Sequence, residues 1–343
     1  MSENVTIRFW GVRGSVPSPI NAQDVQQKKI DVLTRYQDYL QSVKPGQVIQ
    51  GPAKFVAELE NIMPSTYGGN TSCVEVRYED QIFILDMGTG LLRLGNSLIP
   101  SMFKGRGLEV DFVLSHVHWD HIQGLPFFGP LFINKASGVN NKWHFHGGTG
   151  WQKTAETCLK NQMDFPNFPV SFTEIEKITG EKPTFEDMFD QKQLEIGAVR
   201  TCFRKLDHPQ ETYGSQLTFP DGKIVAYTTD NEPRDPSRPD PKLVALAKNA
   251  NVWITDCQYT KDQYEGEKTA GGVARHGWGH SYPEAVAKTA VIANVERVIL
   301  FHHDPMSSDE KVKEMERYTQ ELIKDMGGKS TVTAAWEGLE ITL

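Results

Sequence analysis

The sequence predicts an α/β fold of layered sheets and helices, on three observations. Strand-like runs come first with helical stretches between them, and a second set of strands and helices follows. Helix-start signals stand in front of several of those stretches. No internal repeat and no low-complexity linker divides the chain, so residues 1–343 are expected to form one domain.

Val5-Thr6-Ile7-Arg8-Phe9-Trp10 alternates as a strand does and is stopped by Gly11 and the turn residues up to Pro19. Ile30, Leu33, Tyr36, Leu40 and Val43 recur at steps of three and four, which predicts an amphipathic helix over about 23–43, ended by Pro45-Gly46. A shorter helix follows at about 53–62. Cys73–Tyr78 and 81–86 are β-rich runs joined by Glu79-Asp80, a hairpin. Val110-Asp111-Phe112-Val113-Leu114 has the length of a buried strand and runs directly into Ser115-His116. Further strands are predicted at about 143–147, 198–207, 215–219, 224–228, 252–255, 297–301 and 338–342, with helices at about 150–163, 241–249, 282–293 and 308–326. Ser281-Tyr282-Pro283-Glu284 offers a cap, a first-turn proline and a glutamate three residues on, and Ser307 to Glu310 repeats the spacing. Asp240-Pro241 is a third start. The proline-rich stretch from Glu232 to Pro241 reads as a loop.

With 38% hydrophobic residues the chain can build a core, which excludes wholesale disorder. The 36 Lys+Arg against 44 Asp+Glu leave a net charge of −8, a poor surface for general nucleic-acid binding. No stretch approaches 18 apolar residues, and the N-terminal residues lack a basic segment followed by an apolar run. No membrane partner is expected. Cys73, Cys158, Cys202 and Cys257 are far apart, which predicts free thiols and a cytoplasmic setting.

The segment Ser115-His116-Val117-His118-Trp119-Asp120-His121 carries the chemistry, with three imidazoles and one carboxylate between 116 and 121. A buried polar group left unpaired costs about 1–3 kcal/mol. A cation satisfies four such groups jointly. On a loop after a strand, His116 and His118 can point one way while Asp120 and His121 serve an adjacent position. A pair of ions then needs more ligands, including a bridging carboxylate. His208, Asp230 and His302 each follow a predicted strand and are the candidates.

HxHxDH followed by a strand-end His, Asp and His resembles the metallo-β-lactamase superfamily. The resemblance runs from Phe9-Trp10-Gly11-Val12-Arg13-Gly14 to His302-His303-Asp304-Pro305. Tyr67-Gly68-Gly69-Asn70-Thr71-Ser72, Leu85-Asp86-Met87-Gly88-Thr89-Gly90 and Gly279-His280-Ser281 bring it nearest the phosphodiesterase-like branch. That branch includes tRNase Z and the phosphoribosyl cyclic phosphate phosphodiesterases. The resemblance implies an αββα four-layer sandwich. It also implies that His116, His118 and His208 hold one metal, that Asp120, His121 and His302 hold the other, and that Asp230 bridges them. His303 is the neighbouring rival of His302. Asp86 would pack and hydrogen-bond rather than ligate, and the role of Asp256 stays open.

His280 lies just before the predicted helix start, where unpaired N–H groups would stabilise a phosphate oxygen. In tRNase Z-like members a His in such a motif assists the leaving group or the phosphate. Ser281 and His303 are expected to touch substrate, and His276 to be surface. The long basic arm with which tRNase Z grips RNA has no counterpart. The segments at about 20–63 and 134–195 read instead as insertions around the core. The second contains Trp143, Trp151, Phe165, Phe168 and Phe172, expected as core and cover, with a pocket wall or a dimer interface as the other roles. His144 and His146 are not expected to be ligands.

The expected activity is dinuclear metal-dependent hydrolysis of a small phosphodiester, a cyclic nucleotide first. Two divalent ions, zinc before manganese or iron, would activate water. Asp120 would orient or deprotonate that water, and His280 would protonate or steady the departing oxygen. The alternatives are a lactone or thioester hydrolase, a tRNase Z-like RNA endonuclease and a non-catalytic metal-stabilised sensing module. A homodimer is a further expectation, warranted only by the resemblance.

Overall fold

The computed structural model describes residues 4–60, 64–103, 107–133, 140–150, 153–180, 182–235, 238–268 and 271–343. Trp151 and Pro236 lie outside the described residues. The first half runs β1 (Val5–Gly11), α1 (Ala22–Ser42), α2 (Pro52–Glu60), β2 (Cys73–Tyr78), β3 (Gln81–Leu85), α3 (Gly90–Met102), β4 (Glu109–Val113), α4 (Trp119–Ile122), β5 (Lys142–Gly150), β6 (Lys153–Thr154), α5 (Ala155–Gln162), α6 (Phe172–Thr179) and β7 (Thr184–Met188). The second half runs β8 (Gln193–Ile196), β9 (Val199–Leu206), β10 (Thr212–Thr218), β11 (Ile224–Thr228), α7 (Pro241–Ala247), β12 (Val252–Asp256), α8 (Lys261–Glu265), α9 (Pro283–Ala293), β13 (Arg297–Phe301), α10 (Asp309–Asp325), β14 (Thr331–Ala334) and β15 (Glu340–Thr342).

Two sheets form. One has the order β15-β1-β2-β3-β4-β5-β6 with β7 also paired to β5, and the other the order β14-β13-β12-β11-β10-β9-β8. Alternation in β1 sends Val5, Ile7 and Phe9 inward, and they meet Phe203, Leu217, Tyr227 and Phe301 from the facing sheet. Burying each such side chain contributes about 1.5–3 kcal/mol. Helix α3 covers the outer face of the first sheet through Leu91, Leu94 and Leu98, which join Phe112 and Phe145. Helices α7, α9 and α10 cover the second through Leu246, Val286 and Val312, which join Trp253 and Leu300. The result is the expected αββα order of layers.

The parallel strands are β3, β4, β5 and β7 in one sheet and β11 to β14 in the other. Their carboxyl ends open on one edge of the sandwich, where α/β sheets place ligands. The clustered His and Asp side chains of the candidate site sit there.

Several expectations shift. Helix α3, which carries Gly95 and Pro100, has no counterpart among the predicted elements. Gly95 is required by packing, since a Cβ there would lie 2.9 Å from the Phe128 ring. Helix α9 starts at Pro283 with Tyr282 as its cap residue and no side-chain cap, so Ser281 does not cap it. Ser308 rather than Ser307 caps α10, by accepting from the Lys311 N–H. Asp240 caps α7 as expected. Helix α1 forms, but it buries none of its residues. It leans on α2 through the rings of Tyr36, Tyr39 and Phe55. The 134–195 segment supplies strands β5, β6, β7 and most of β8 as well as the helices α5 and α6. Trp143 and Phe172 are buried in the outer core beneath the first sheet, and Phe168 packs against it, while Phe165 is exposed. Among the described residues no helix is long and apolar enough to cross a membrane.

Candidate metal centre

Strand β4 ends at Val113, and the loop behind it delivers His116 and His118 before the short α4 supplies Asp120 and His121. Strand β9 leads to His208, β11 to Asp230, β12 to Asp256 and β13 to His302. Four non-glycine residues here take positive φ: Ser15 (62°), Asp86 (60°), Asp230 (53°) and His302 (62°). A left-handed turn of this kind costs roughly 1–2 kcal/mol per residue. It sharply re-aims the side chain that follows each strand, and the strain is concentrated where the chemistry is.

The structure brings all seven expected side chains together in two groups. His116, His118 and His208 share one with Asp230, and Asp120, His121 and His302 form the other. Asp230 faces both. Its Oδ2 lies 3.7 Å from His116 Nε2 and 3.8 Å from His208 Nε2. Its Oδ1 lies 3.3 Å from His121 Nε2 and 3.2 Å from His302 Nε2. Asp120 Oδ2 lies 3.2 Å from His121 Nε2 and 3.1 Å from His302 Nε2. Ligands about 2.0–2.2 Å from a tetrahedral ion are separated by roughly 3.3–3.6 Å, so these spacings suit ions at the centres of the groups.

The remaining ring nitrogens fix which atom each imidazole offers. His121 Nδ1 donates to Asp86 Oδ2 at 2.7 Å, and His116 Nδ1 to Ser115 Oγ at 3.0 Å. His208 Nδ1 donates to the Gly279 carbonyl at 3.1 Å, and His302 Nδ1 to Gln258 Oε1 at 3.0 Å. Each of these rings therefore turns a bare Nε2 inward. His118 offers Nδ1 instead, 2.9 Å from His116 Nε2 and 3.2 Å from His208 Nε2. Bare nitrogens converging at such range repel unless a cation lies among them. The donor set thus fits divalent ions, and its imidazole and carboxylate character suits zinc, manganese or iron.

The electrostatics agree. Burial, helped by His121, pushes His116 well below the ordinary imidazole range, and burial with His208 takes His118 down to about 4. Burial alone would also lower His302, but Asp230, Asp120 and Asp256 outweigh it and hold the ring up at about 10. His121 is raised in the same way, against burial, by Asp120, Asp230 and Asp86. Protons on those two rings thus compete with a cation for the same carboxylates.

Residues that sequence reasoning left open or missed complete the support. Asp86 accepts from the Ser115 N–H and hydroxyl, the Tyr227 hydroxyl and His121, and so ties both sheets to one ligand. Asp256 Oδ2 lies 2.8 Å from His280 Nδ1 and 3.3 Å from His302 Nδ1, while its Oδ1 accepts the Ser281 N–H. The Ser15 N–H donates to Asp120 Oδ2 at 2.7 Å. Only Asp86 and Asp256 carried a sequence signal, as carboxylates at strand ends.

His280 is buried beside the centre, its ring stacked on His302 at 5.1 Å. Ser281 is buried behind it and engages Asp256 through its backbone. His303, expected to touch substrate, is not brought to the cluster. Its Nε2 donates to the Ala335 carbonyl, and its ring packs edge-on against Tyr67. His144 and His146 are engaged along the sheet by Thr184 and Asp111, and the exposed His276 faces Glu265.

Gly279 yields a test of the first group. A Cβ added there would fall 1.9 Å from His208 Nδ1, and its φ is +88°. Gly279→Ala should displace His208 and weaken one of the two ions by about 10–100-fold. Chelator competition should show one weakened and one unchanged step. Two unchanged steps would contradict the assignment of His208.

Two face-to-face sheets, helices outside them and this paired His/Asp centre define a hydrolase of the metallo-β-lactamase fold. The chain belongs to the beta-lactamase superfamily, whose domain model matches residues 86–303, more than half of the chain. It is similar to the Ribonuclease Z of Lactiplantibacillus plantarum, 22% identical over 274 residues that span 71% of this chain and 84% of that protein. Among solved structures it is similar to the metallo-beta-lactamase fold protein YhfI from Bacillus subtilis, with TM-score 0.60, 14% identity and 100% of each chain covered. It is also similar to a diphosphatase from the PhnP family, with TM-score 0.58, 16% identity, 99% of this chain and 97% of that one covered.

Proposed function

We propose that the protein is a dinuclear metal-dependent phosphodiesterase acting on a small phosphodiester, a cyclic nucleotide first. The observation that carries this reading is the placement of His280 beside the two His/Asp groups that Asp230 faces, with its Nδ1 donating to Asp256 Oδ2 at 2.8 Å. That bond leaves Nε2 as the atom His280 can present to a departing oxygen. When bound, the ions would supply water activation and charge compensation at phosphorus. His116, His118, Asp120, His121, His208, Asp230 and His302 would hold them, zinc being the first choice. The Ser15 N–H fixes the orientation of Asp120. Asp256 keeps His280 and His302 in register, so donation to the leaving group and the geometry of the second ion are set by one carboxylate.

A thioester releases a thiolate that departs without a proton, so the His280–Asp256 pair argues against that alternative, whereas a lactone, like a phosphodiester of a sugar, releases an alkoxide and is separated by kinetics. The net charge of −8 argues for a small substrate. An RNA endonuclease is the second reading, favoured by the curated relatives named Ribonuclease Z. A cytoplasmic setting belongs to the same proposal, supported by four free cysteines. The test is steady-state kinetics after reloading with zinc and with manganese, on cyclic nucleotides, bis(p-nitrophenyl) phosphate, a lactone panel and a 3′-extended tRNA precursor. Phosphodiester kcat/KM should exceed lactone kcat/KM by about 100-fold or more. The reverse order would overturn the reading, and preferential cleavage of the precursor would select the endonuclease.

A further inference from the structure

We propose that Arg275, stacked on Tyr259 and Trp278 beside His280, forms a subsite for a second anionic group of the substrate. The proposal rests on the phosphodiesterase reading and narrows it. Favoured substrates carry another negative charge beyond the scissile diester, as a dinucleotide or a nucleotide with an additional phosphate does.

The segment between α8 and His280 places this cation. The guanidinium carbon of Arg275 lies 4.5 Å from the Tyr259 ring centroid and 5.9 Å from that of Trp278. The two rings meet edge-on at 6.3 Å, and Tyr259 meets the His280 ring at 5.6 Å. The charge is therefore one ring removed from His280. The Tyr259 hydroxyl accepts from Gln258 Nε2, the amide whose oxygen orients His302, so the stack is anchored to the metal centre.

Among the described residues no carboxylate pairs with Arg275. Its Nη1 is enclosed and makes no hydrogen bond. The neighbouring carboxylates are engaged elsewhere. Glu232 accepts from the Tyr264 hydroxyl and from the Gly277 and Gly279 N–H groups, and Glu265 faces His276. A guanidinium is always charged, and leaving an enclosed donor unmet is destabilising. Stacking on aromatic faces offsets only part of that cost. Covering Tyr259 requires no cation, because Leu or Met would do it without the unmet donor. An unpaired guanidinium in a chain of net charge −8 is placed to meet an anion, and its planar fork matches phosphate. The side chain is half-buried, so it stays open to a ligand.

The test compares thymidine 5′-(p-nitrophenyl phosphate) with the same ester carrying a 3′-phosphate, on wild type, Arg275→Gln and Arg275→Lys. Wild type should show a KM about tenfold or more lower for the 3′-phosphorylated ester. In Arg275→Gln that ratio should collapse below about twofold, and Arg275→Lys should retain part of it. A wild-type ratio near one would overturn the subsite. So would a ratio that survives in Arg275→Gln, including one preserved while turnover of both esters falls together, which is the signature of a merely structural arginine. Absence of turnover with both esters would count against the phosphodiesterase reading instead. The subsite is then decided by calorimetric titration with thymidine 3′,5′-bisphosphate and thymidine 5′-monophosphate. Tighter binding of the bisphosphate that is lost in Arg275→Gln supports it, and equal affinities in wild type reject it.

Discussion

Asp230→Ala should bind fewer than two ions per chain and lose about 10³-fold or more in turnover, a change of about 4 kcal/mol at the barrier. Among the described residues, no other side chain reaches both groups with separate oxygens, Oδ1 towards His121 and His302 and Oδ2 towards His116 and His208. Removing it would take a ligand from each of the two proposed ions, together with the negative charge that would hold the cations close. The carboxylate is also locked in place. It is buried, its Oδ1 accepts from the Thr229 hydroxyl at 2.7 Å, and His302, His121 and His116 hold it ionised against its burial. A water drawn into the space left by alanine could replace an oxygen but not the charge. Elemental analysis alongside kinetics decides the matter. An Asp230→Ala protein with two ions and wild-type turnover would contradict the bridge.

The fold and the clustering of these His and Asp side chains were legible for a physical reason. Hydrophobic periodicity marks strands, and a polar cluster directly behind a buried strand has few explanations other than a cation. Val110 to Leu114 followed by His116, His118, Asp120 and His121 is such a case, and so are the strand ends at His208, Asp230 and His302. What the sequence does not display is the support. Ser15, Gln258 and Glu232 act through backbone groups or through contacts with residues remote along the chain, such as the Ser15 N–H on Asp120. Single-sequence patterns carry no trace of contacts across that separation. The expectation for His303 failed because adjacency in sequence is not adjacency in space. At the end of β13 the positive φ of His302 turns its side chain into the centre, and the next ring turns to the Ala335 carbonyl. Ser281 failed as a cap because the Tyr282 backbone is still extended and the helix begins one residue later than the motif suggests.

His280→Ala should keep both ions and lose about 10²–10³-fold in kcat on a nucleotide substrate, the range expected for loss of a proton donor. The size of the loss should depend on the leaving group. An alkoxide oxygen of a sugar needs a proton as the bond to phosphorus breaks, whereas p-nitrophenolate departs as a stable anion. The defect should therefore be much smaller with bis(p-nitrophenyl) phosphate. Geometry also allows a rival role, because His280 lies close enough to Asp230 and His302 to form a third group of metal-binding type. Its Nδ1, however, is 4.0 Å from Asp230 Oδ2 and only 2.8 Å from Asp256 Oδ2, so the bond to Asp256 turns that nitrogen away from an ion. Metal content separates the two roles, since a ligand's loss would lower it and a proton donor's would not. Asp256→Asn should reproduce most of the kcat defect. The double variant should be little worse than His280→Ala alone, because the two residues act as a unit. Equal losses on both substrates, or a fall in bound metal in His280→Ala, would reject proton donation to the leaving group.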